Sequence, residues 1–399
     1  MNDKTLLLVL PDYPSEHGEF NGCNVIKNQI TYSKNYFKKI IVIAPVLCTF
    51  GLTLHDKYCF NYSYDNVDVY FPRCFFLPRS VNIPYITNYA KINIDTRLEA
   101  TIKTIDENNL SFDVIHARFT YPSGYIASEL KKKYNVPVIF TVHEDSGWFE
   151  EERLMNHPRL VQAWRSADVI TRENTTEVSM LKEYNQNVAV VPAGYDSSTY
   201  GPVDKDLCRN LLHLQQDDKI LFTFGSLDER KGFQDLITAL SYLPPEYHVK
   251  CYISGSGQYK EKLHNCIKHL KLEERVFIID RLDDTQIAMW INAADLFIFP
   301  SLRESFGVTQ IEALGCGVPV IASDNVGSRD VINDTCGYLF KAGNAQDLAL
   351  KIIRGLNTEW DKTKILEYAK TTYSWEVVSK QYDDLYKAAS IKYGKPNSS

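Results

Sequence analysis

The stretch Leu296-Phe297-Ile298-Phe299-Pro300-Ser301-Leu302-Arg303-Glu304-Ser305-Phe306-Gly307-Val308-Thr309-Gln310-Ile311-Glu312-Ala313-Leu314-Gly315-Cys316-Gly317-Val318-Pro319-Val320 is the segment on which the fold class turns. Leu296–Phe299 is a continuous apolar run closed by a proline, as expected of a strand buried on both faces. A polar loop follows, a short helix opens near Gly307, and a glycine turn leads into a second apolar strand. Strand, loop, helix and strand in that order form a unit of a parallel α/β sheet. The helix start has free N–H groups and a positive partial charge, so an anion such as a phosphate can dock at Phe306–Thr309. Glu304 and Glu312 would flank that anion. A carboxylate beside a phosphate is repelled unless it has hydroxyl donors to engage, and the paired hydroxyls of a ribose or hexose are such donors. The alternative, one surface and one helix-face glutamate, is disfavoured by the Pro-Ser, Phe-Gly and Gly-Val-Pro context.

Outward from this segment the same alternation fills the chain. Apolar runs occur at 5–10, 40–44, 67–71, 112–116, 138–142, 168–171 and 188–191, then at 220–224, 249–254, 276–279, 296–299, 318–322 and 338–340. Amphipathic stretches such as Asp235–Leu243 and Tyr259–Leu270 lie between them. Two successive sets of about six strands overfill one sheet and predict two doubly wound α/β domains. The predicted divisions are 1–191, a Gly/Pro/Ser-rich linker at 192–203, a second domain at 204–371, and a terminal helix at 372–399 that packs back towards the first domain. Trp375, Val378, Tyr382, Leu385 and Ala389 share one face of that helix. Ligands of doubly wound sheets sit beyond the carboxyl ends of the strands, so two such domains would face each other across a cleft.

A length of 399 residues accommodates two or three domains. With 44% apolar and 24% charged residues the chain is globular rather than disordered or fibrous. A net charge of −6 argues against a nucleic-acid partner, whose phosphates call for an excess of Lys and Arg. The nine cysteines are scattered without a C-x-x-C or zinc-ligand spacing, which suits reduced thiols and a cytoplasmic protein. No secretory signal is apparent after Met1. The uncharged stretch Ile40–Leu54, broken by Pro45 and Gly51, is too short to span a bilayer. It reads as a strand and loop, or as an interfacial segment giving peripheral membrane contact.

The segment around Glu304 and Glu312 resembles the Glu-x7-Glu signature of retaining glycosyltransferases of the two-Rossmann (GT-B) architecture, family 4. Other segments are similar to that family in the same order. They are Asp113-Val114-Ile115-His116 with Tyr121-Pro122-Ser123-Gly124, Val138–His143, Val191–Asp196, Phe224–Leu227 through Lys231-Gly232, and Ser254–Gly257. The resemblance covers nearly the whole chain. It implies transfer of a sugar from a nucleotide diphosphate sugar, UDP- or GDP-linked, to a hydroxyl of a glycan, lipid-linked or small-molecule acceptor. It also implies retention at the sugar carbon, with no metal or other cofactor. The first domain would bind the acceptor and the second the donor.

By the same resemblance Glu304 would hold donor-sugar hydroxyls, Glu312 the ribose diol, and Lys231 the diphosphate, together with backbone N–H groups of Phe306, Gly307 and Val308. Gly225, Ser226 and Gly255 would border the donor and Arg281 its base. Gly18 and Gly22 would lie on a loop closing over phosphate and acceptor, with His116 and Arg118 nearby and His143 beside the reacting sugar. Departures from the family are specific. Gly225-Ser226 replaces Gly-Arg, so one phosphate-binding cation is missing. Arg230 either supplies it or is a solvated turn arginine. Arg118 stands where a second histidine is common, Glu144-Asp145 follows His143 where Gly-x-Asp is usual, and Asp280-Arg281 stands where a glycine is common. His116 is open to two readings, core histidine or site residue.

The implied chemistry places negative charge on a leaving diphosphate, and fixed donors aimed at it would stabilise that charge. Rival readings are a non-catalytic nucleotide-sugar-binding subunit, for which the missing arginine argues, and another enzyme of the same fold such as an epimerase. Weaker signals reduce to structure. Asp204-Lys205-Asp206 reads as a helix start rather than a metal motif, and Gly255-Ser256-Gly257 as a tight turn. His264 and His269 are five apart and do not share a face. Lys131-Lys132-Lys133 reads as a solvated helix face.

Overall fold

A computed structural model describes residues 1–20, 22, 24–48, 58–77, 89–391 and 393. Cys23 and the end of the Ile40–Leu54 stretch lie outside the described residues. The chain divides into two compact units. Unit 1 comprises Met1–Glu144, Trp148–Val191 and Ser379–Ser399, and unit 2 comprises Asp145–Gly147 and Pro192–Val378.

Unit 1 holds β1 (Thr5–Val9), β2 (Lys39–Ile43), β3 (Val46–Cys48), β4 (Tyr62–Tyr64), β5 (Val67–Tyr70), β6 (Arg73–Phe75), β7 (Val114–Arg118), β8 (Val138–Val142), β9 (Val169–Arg172) and β10 (Val188–Val190). Its main sheet runs β10-β9-β8-β7-β1-β2-β5-β4, parallel except for the antiparallel pair β4–β5. Leu6 pairs with Ile40 on one side and Val114 on the other, which sets the register at the centre. Helices cover both faces of such strands, so β7 and β8 are buried at every position. The short strands β3 and β6 form a separate pair. They and β4 escape sequence reading because their residues alternate weakly and are partly exposed.

Unit 2 holds β11 (Lys219–Phe224), β12 (Val249–Ser254), β13 (Val276–Ile279), β14 (Leu296–Phe299), β15 (Val320–Ser323) and β16 (Gly337–Phe340). All are parallel, in the order β13-β12-β11-β14-β15-β16. Strand side chains alternate between faces. Thus Phe222, Phe297 and Phe299 enter one core with Trp290 and Ile311, while Leu221, Leu296 and Ile298 enter the other with Leu236 and Ile352. The order reverses between β11 and β14, the topological switch point at which ligands of this fold are held. Gly225 follows β11 there, and Ser301–Phe306 follows β14.

Several polar motifs resolve into capping and ion pairing. The Asp204 carboxylate accepts from the Leu207 N–H and caps the helix Lys205–Leu211. Among the described residues no group of three or more His, Cys, Asp or Glu could hold a metal. The three consecutive lysines close the helix Tyr125–Tyr134: Lys131 pairs with Asp168 at 2.7 Å, Lys132 with Glu129 at 2.7 Å and Lys133 with Asp106 at 2.7 Å. No helix of the described residues is long and apolar enough to cross a membrane.

Phe222 is fully buried and stacks on Trp290 (5.6 Å) and Phe224 (5.9 Å), with Phe297 edge-on at 6.3 Å. Truncating it removes a large apolar surface and leaves a cavity between two strands. Phe222→Ala is expected to cost about 3–5 kcal/mol in denaturant unfolding. A loss below ~1 kcal/mol would show that this core is not what holds unit 2 together.

Candidate active site

Two segments of unit 2 meet at the switch point. After β11, the Gly225 N–H donates to Ser254 O (3.0 Å) and the Leu227 N–H to Ser256 O (2.9 Å), drawing this loop against the one that follows β12. A Cβ on Gly255 would lie 1.9 Å from Gly225 O, so the two loops touch backbone to backbone. Ser226 Oγ donates to Asp228 (2.6 Å), whose carboxylate caps the 3-10 turn Glu229–Lys231. Gly232 ends that turn at φ 67°, and a Cβ there would sit 2.1 Å from Pro300 O. Only glycine permits this approach of the turn to the loop after β14. The Leu302 N–H donates to Arg230 O at 2.8 Å, completing the junction.

The junction brings three charged side chains together. Glu304 Oε1 accepts from Lys231 Nζ at 2.6 Å and lies 3.0 Å from Arg230 Nη1. Arg230 also donates to Arg303 O at 3.0 Å. The Lys231 and Glu304 side chains are 16% and 12% exposed and Arg230 is 31% exposed, so the cluster is recessed yet reachable. Arg230 is therefore part of the cation pair, not a solvated turn residue. Beside it Gly307 (φ 85°) caps the helix Val308–Gly315, with Phe306 buried beneath. Gln310 Nε2 donates to Phe306 O (2.5 Å) and Gly327 O (3.2 Å), pinning the helix entry. Thr309 Oγ1, in the first turn, is buried and has no hydrogen-bond partner among the described residues.

Glu312 lies one turn further along this helix. Its carboxyl is pushed up to about 8 by burial, with the Asp284 charge adding to the push and a hydrogen bond from Tyr200 opposing it. Tyr200 also hydrogen-bonds Asp284, and burial raises its hydroxyl pKa strongly. Sequence reading missed Tyr200 and Asp284, since one sits in the linker and the other at an ordinary helix start. Arg281 is exposed after β13, next to the pair Lys260–Asp280 at 2.9 Å.

In unit 1, Gly18 and Gly22 belong to a tight loop after β1. The Ser15 N–H donates to Phe20 O (2.9 Å), the Phe20 N–H to Ser15 Oγ (3.0 Å), and Ser15 Oγ to Glu19 (2.9 Å). His116 is fully buried, with Nδ1 2.6 Å from Tyr386 OH and Nε2 2.7 Å from Thr141 Oγ1. Burial, aided by the charges of Arg118 and His143, holds its pKa well below the ordinary value, so it is a neutral core histidine. Arg118 and His143 meet at the strand ends, Arg118 Nη1 to His143 Nε2 at 2.8 Å. His143 Nδ1 lies 3.1 Å from Glu173 Oε1. Arg118 can only donate, so Nε2 accepts and Nδ1–H donates to Glu173. Burial lowers the His143 pKa although Glu173 pulls the other way, and the ring is neutral with both nitrogens engaged. Glu173 was not anticipated; its place just after a buried strand end was the available signal.

Comparisons with known proteins agree with this architecture. Residues 204–372 match the family described as Glycosyl transferases group 1, and residues 63–199 match Glycosyltransferase Family 4. An uncharacterized glycosyltransferase of Methanocaldococcus jannaschii is 24% identical over 84% of this chain and 90% of its own. The phosphatidyl-myo-inositol mannosyltransferase of Propionibacterium freudenreichii is 27% identical over 79% of this chain and 80% of its own. Among solved structures, sucrose-phosphate synthase from Thermosynechococcus elongatus superposes with a TM-score of 0.78 at 19% identity, covering 98% of this chain and all of that one. HepE from Anabaena, solved with UDP, superposes with a TM-score of 0.74 at 20% identity, covering 96% of this chain and all of that one. The chain is a glycosyltransferase of the GT-B fold. More particularly, the group 1 match falls within unit 2, which carries the Glu304 cluster.

Glu312 gives this site a pH signature. Between about pH 4.5 and 8 the folded chain retains a proton that the unfolded chain has released, so stability falls as pH rises through that window. Glu312→Gln is expected to remove a slope of up to about 1.4 kcal/mol per pH unit. Thermal unfolding from acid to neutral pH measures it, and identical slopes in both proteins would refute the burial of this carboxyl.

Proposed function

We propose that the protein is a retaining glycosyltransferase that binds a nucleotide diphosphate sugar in unit 2 and transfers the sugar to a hydroxyl acceptor without a metal ion. The observation that carries this reading is the convergence of Lys231 and Arg230 on one oxygen of Glu304, beside the Gly307 helix start. In this arrangement the Glu304 carboxylate occupies the cations. A diphosphate takes them over, and Glu304 is then free to accept hydrogen bonds from hydroxyls of the donor sugar. The N–H groups at the start of the helix Val308–Gly315 would add donors to the phosphates.

As the sugar–phosphate bond breaks, charge builds on the leaving diphosphate and is met by groups already in place. Lys231 and Arg230 thereby supply the positive charge that a metal ion would otherwise provide. Retention follows if the acceptor attacks from the leaving-group face and the departing phosphate takes its proton. Glu312, its carboxyl pushed up by burial, would ionise on accepting hydrogen bonds from a ribose diol. His143, its ring held by Arg118 and Glu173, acts in this scheme by position rather than by titration.

Support for a UDP-linked donor comes from HepE, solved with UDP and with UDP-glucose. Relatives named D-inositol 3-phosphate glycosyltransferase and alpha-monoglucosyldiacylglycerol synthase favour a polyol or lipid-linked acceptor. A lipid acceptor would go with peripheral membrane contact at the cytoplasmic face. Glu304→Gln is expected to abolish transfer while leaving the thermal transition in place. Lys231→Ala should lower kcat by about a hundred- to a thousandfold, as loss of one fixed donor to a developing charge does. Turnover of both variants at the wild-type rate, measured as nucleoside diphosphate release, would overturn the assignment. Donor binding with no transfer to any acceptor would favour the binding-subunit reading instead.

A further inference from the structure

Unit 2 has a second concavity, at the end of its sheet away from Glu304. A pocket of about 230 Å³ opens where β11, β14 and β15 begin, lined among others by Lys205, Lys219, Asp295, Gly317, Trp360 and Lys362. Because the strands are parallel, their starting ends lie on the face opposite the switch-point crevice. The turn through Gly317 closes the helix Val308–Gly315, so this pocket and the Gly307 cap occupy the two ends of one helix.

Most polar groups in the pocket wall are already satisfied. Asp295 accepts from Lys205 (2.5 Å), Arg209 (2.8 Å) and the Ile220 N–H (2.6 Å). The Asn292 amide is used by the Val203 N–H, Gly201 O and Ala288 O. Thr358 Oγ1 donates to Arg354 O, and the Trp360 indole N–H to Gly355 O at 2.9 Å. Two neighbouring carboxylates are also engaged, Asp218 by Lys250 at 2.8 Å and Asp361 by the Lys364 N–H at 3.2 Å. What remains is cationic: Lys219 and Lys362 have no ion pair among the described residues. Lys362 is held in place, because its stem packs on Gly317, where a Cβ would come within 2.8 Å of it. Its charge reaches the buried thiols of Cys208 and Cys316, opposing the upward push that burial gives them. Trp360 is pinned by its indole bond and by Tyr338, 5.2 Å away, which leaves a fixed aromatic wall beside the cations.

We propose that this pocket is a second ligand site, specific for a small sugar phosphate. The phosphate would lie between Lys219 and Lys362 and the sugar against Trp360. A volume of about 230 Å³ is on the scale of a single sugar phosphate and small beside a nucleotide sugar. The two lysines without an ion pair among the described residues, and an Asp295 already taken up by Lys205 and Arg209, favour an anion over a cation.

Isothermal titration calorimetry of the full chain with glucose 6-phosphate, inorganic phosphate and glucose tests it. Saturable one-to-one binding of glucose 6-phosphate is expected, with weaker binding of phosphate and none of glucose. Lys219→Ala/Lys362→Ala should weaken the sugar phosphate at least about tenfold. Arg230→Ala/Lys231→Ala, which disables the switch-point cluster, should leave it unchanged. Both lysines are exposed and unpaired, so the first variant should keep its melting temperature, which is checked in parallel. Absence of saturable binding, or a loss confined to the Arg230/Lys231 variant, would overturn the proposal. Equal affinity for phosphate and glucose 6-phosphate would overturn the role of Trp360 and with it the sugar-phosphate class.

Discussion

One carboxylate oxygen organises the second unit's ligand face. Glu304 Oε1 is contacted by two cations that belong to a different loop, seventy-odd residues away in the chain. Like charges brought this close would separate if nothing stood between them, and here the carboxylate does. The backbone makes the arrangement possible: the turn bearing Arg230 and Lys231 reaches the loop of Glu304 only because Gly232 carries no side chain against Pro300. A shift of either loop would leave a recessed charge without its partner, which costs several times what an exposed pair contributes.

The electrostatics of the rest of that face follow from this junction. A region already holding two cations at one point suits a dianionic ligand. The helix capped by Gly307 adds partial positive charge without adding a side chain. Glu312 provides the contrast: burial and the Asp284 charge push its carboxyl up to about 8. Two glutamates eight positions apart thus meet opposite surroundings, one facing two cations and the other an acid.

Much of the architecture was legible in the linear chain because strands covered on both faces leave uninterrupted apolar runs, as in Val138–Val142 and Leu296–Phe299. The helix beginning after Gly307 announced itself through its glycine. Short edge elements such as β4 and β6 did not, since half-exposed strands of three residues have no periodicity to detect. Side chains that meet across distant segments were equally silent. Tyr200 looks like a linker residue and Asp284 like the first turn of a helix, and only tertiary packing sets both against Glu312. Arg230 was ambiguous for the same reason: whether a turn arginine faces water or a carboxylate depends on a loop that its own neighbours do not specify. His116 could be read as core or ligand, and its two filled nitrogens assign it to the core.

That histidine has a further consequence. Tyr386, His116, Thr141 and Thr171 form an unbroken chain of contacts of 2.6, 2.7 and 2.6 Å, joining the terminal helix to three adjacent strands of unit 1. Apolar strands with interchangeable Val and Ile residues can slide past one another with little loss of burial, because every position offers the same greasy surface. A slip of one residue along β7, β8 or β9 would turn a hydroxyl or imidazole to the wrong side of the sheet and strand its neighbours without partners in a dry interior. The polar thread therefore works as an alignment key, giving an otherwise permissive stack of strands a single way to mesh.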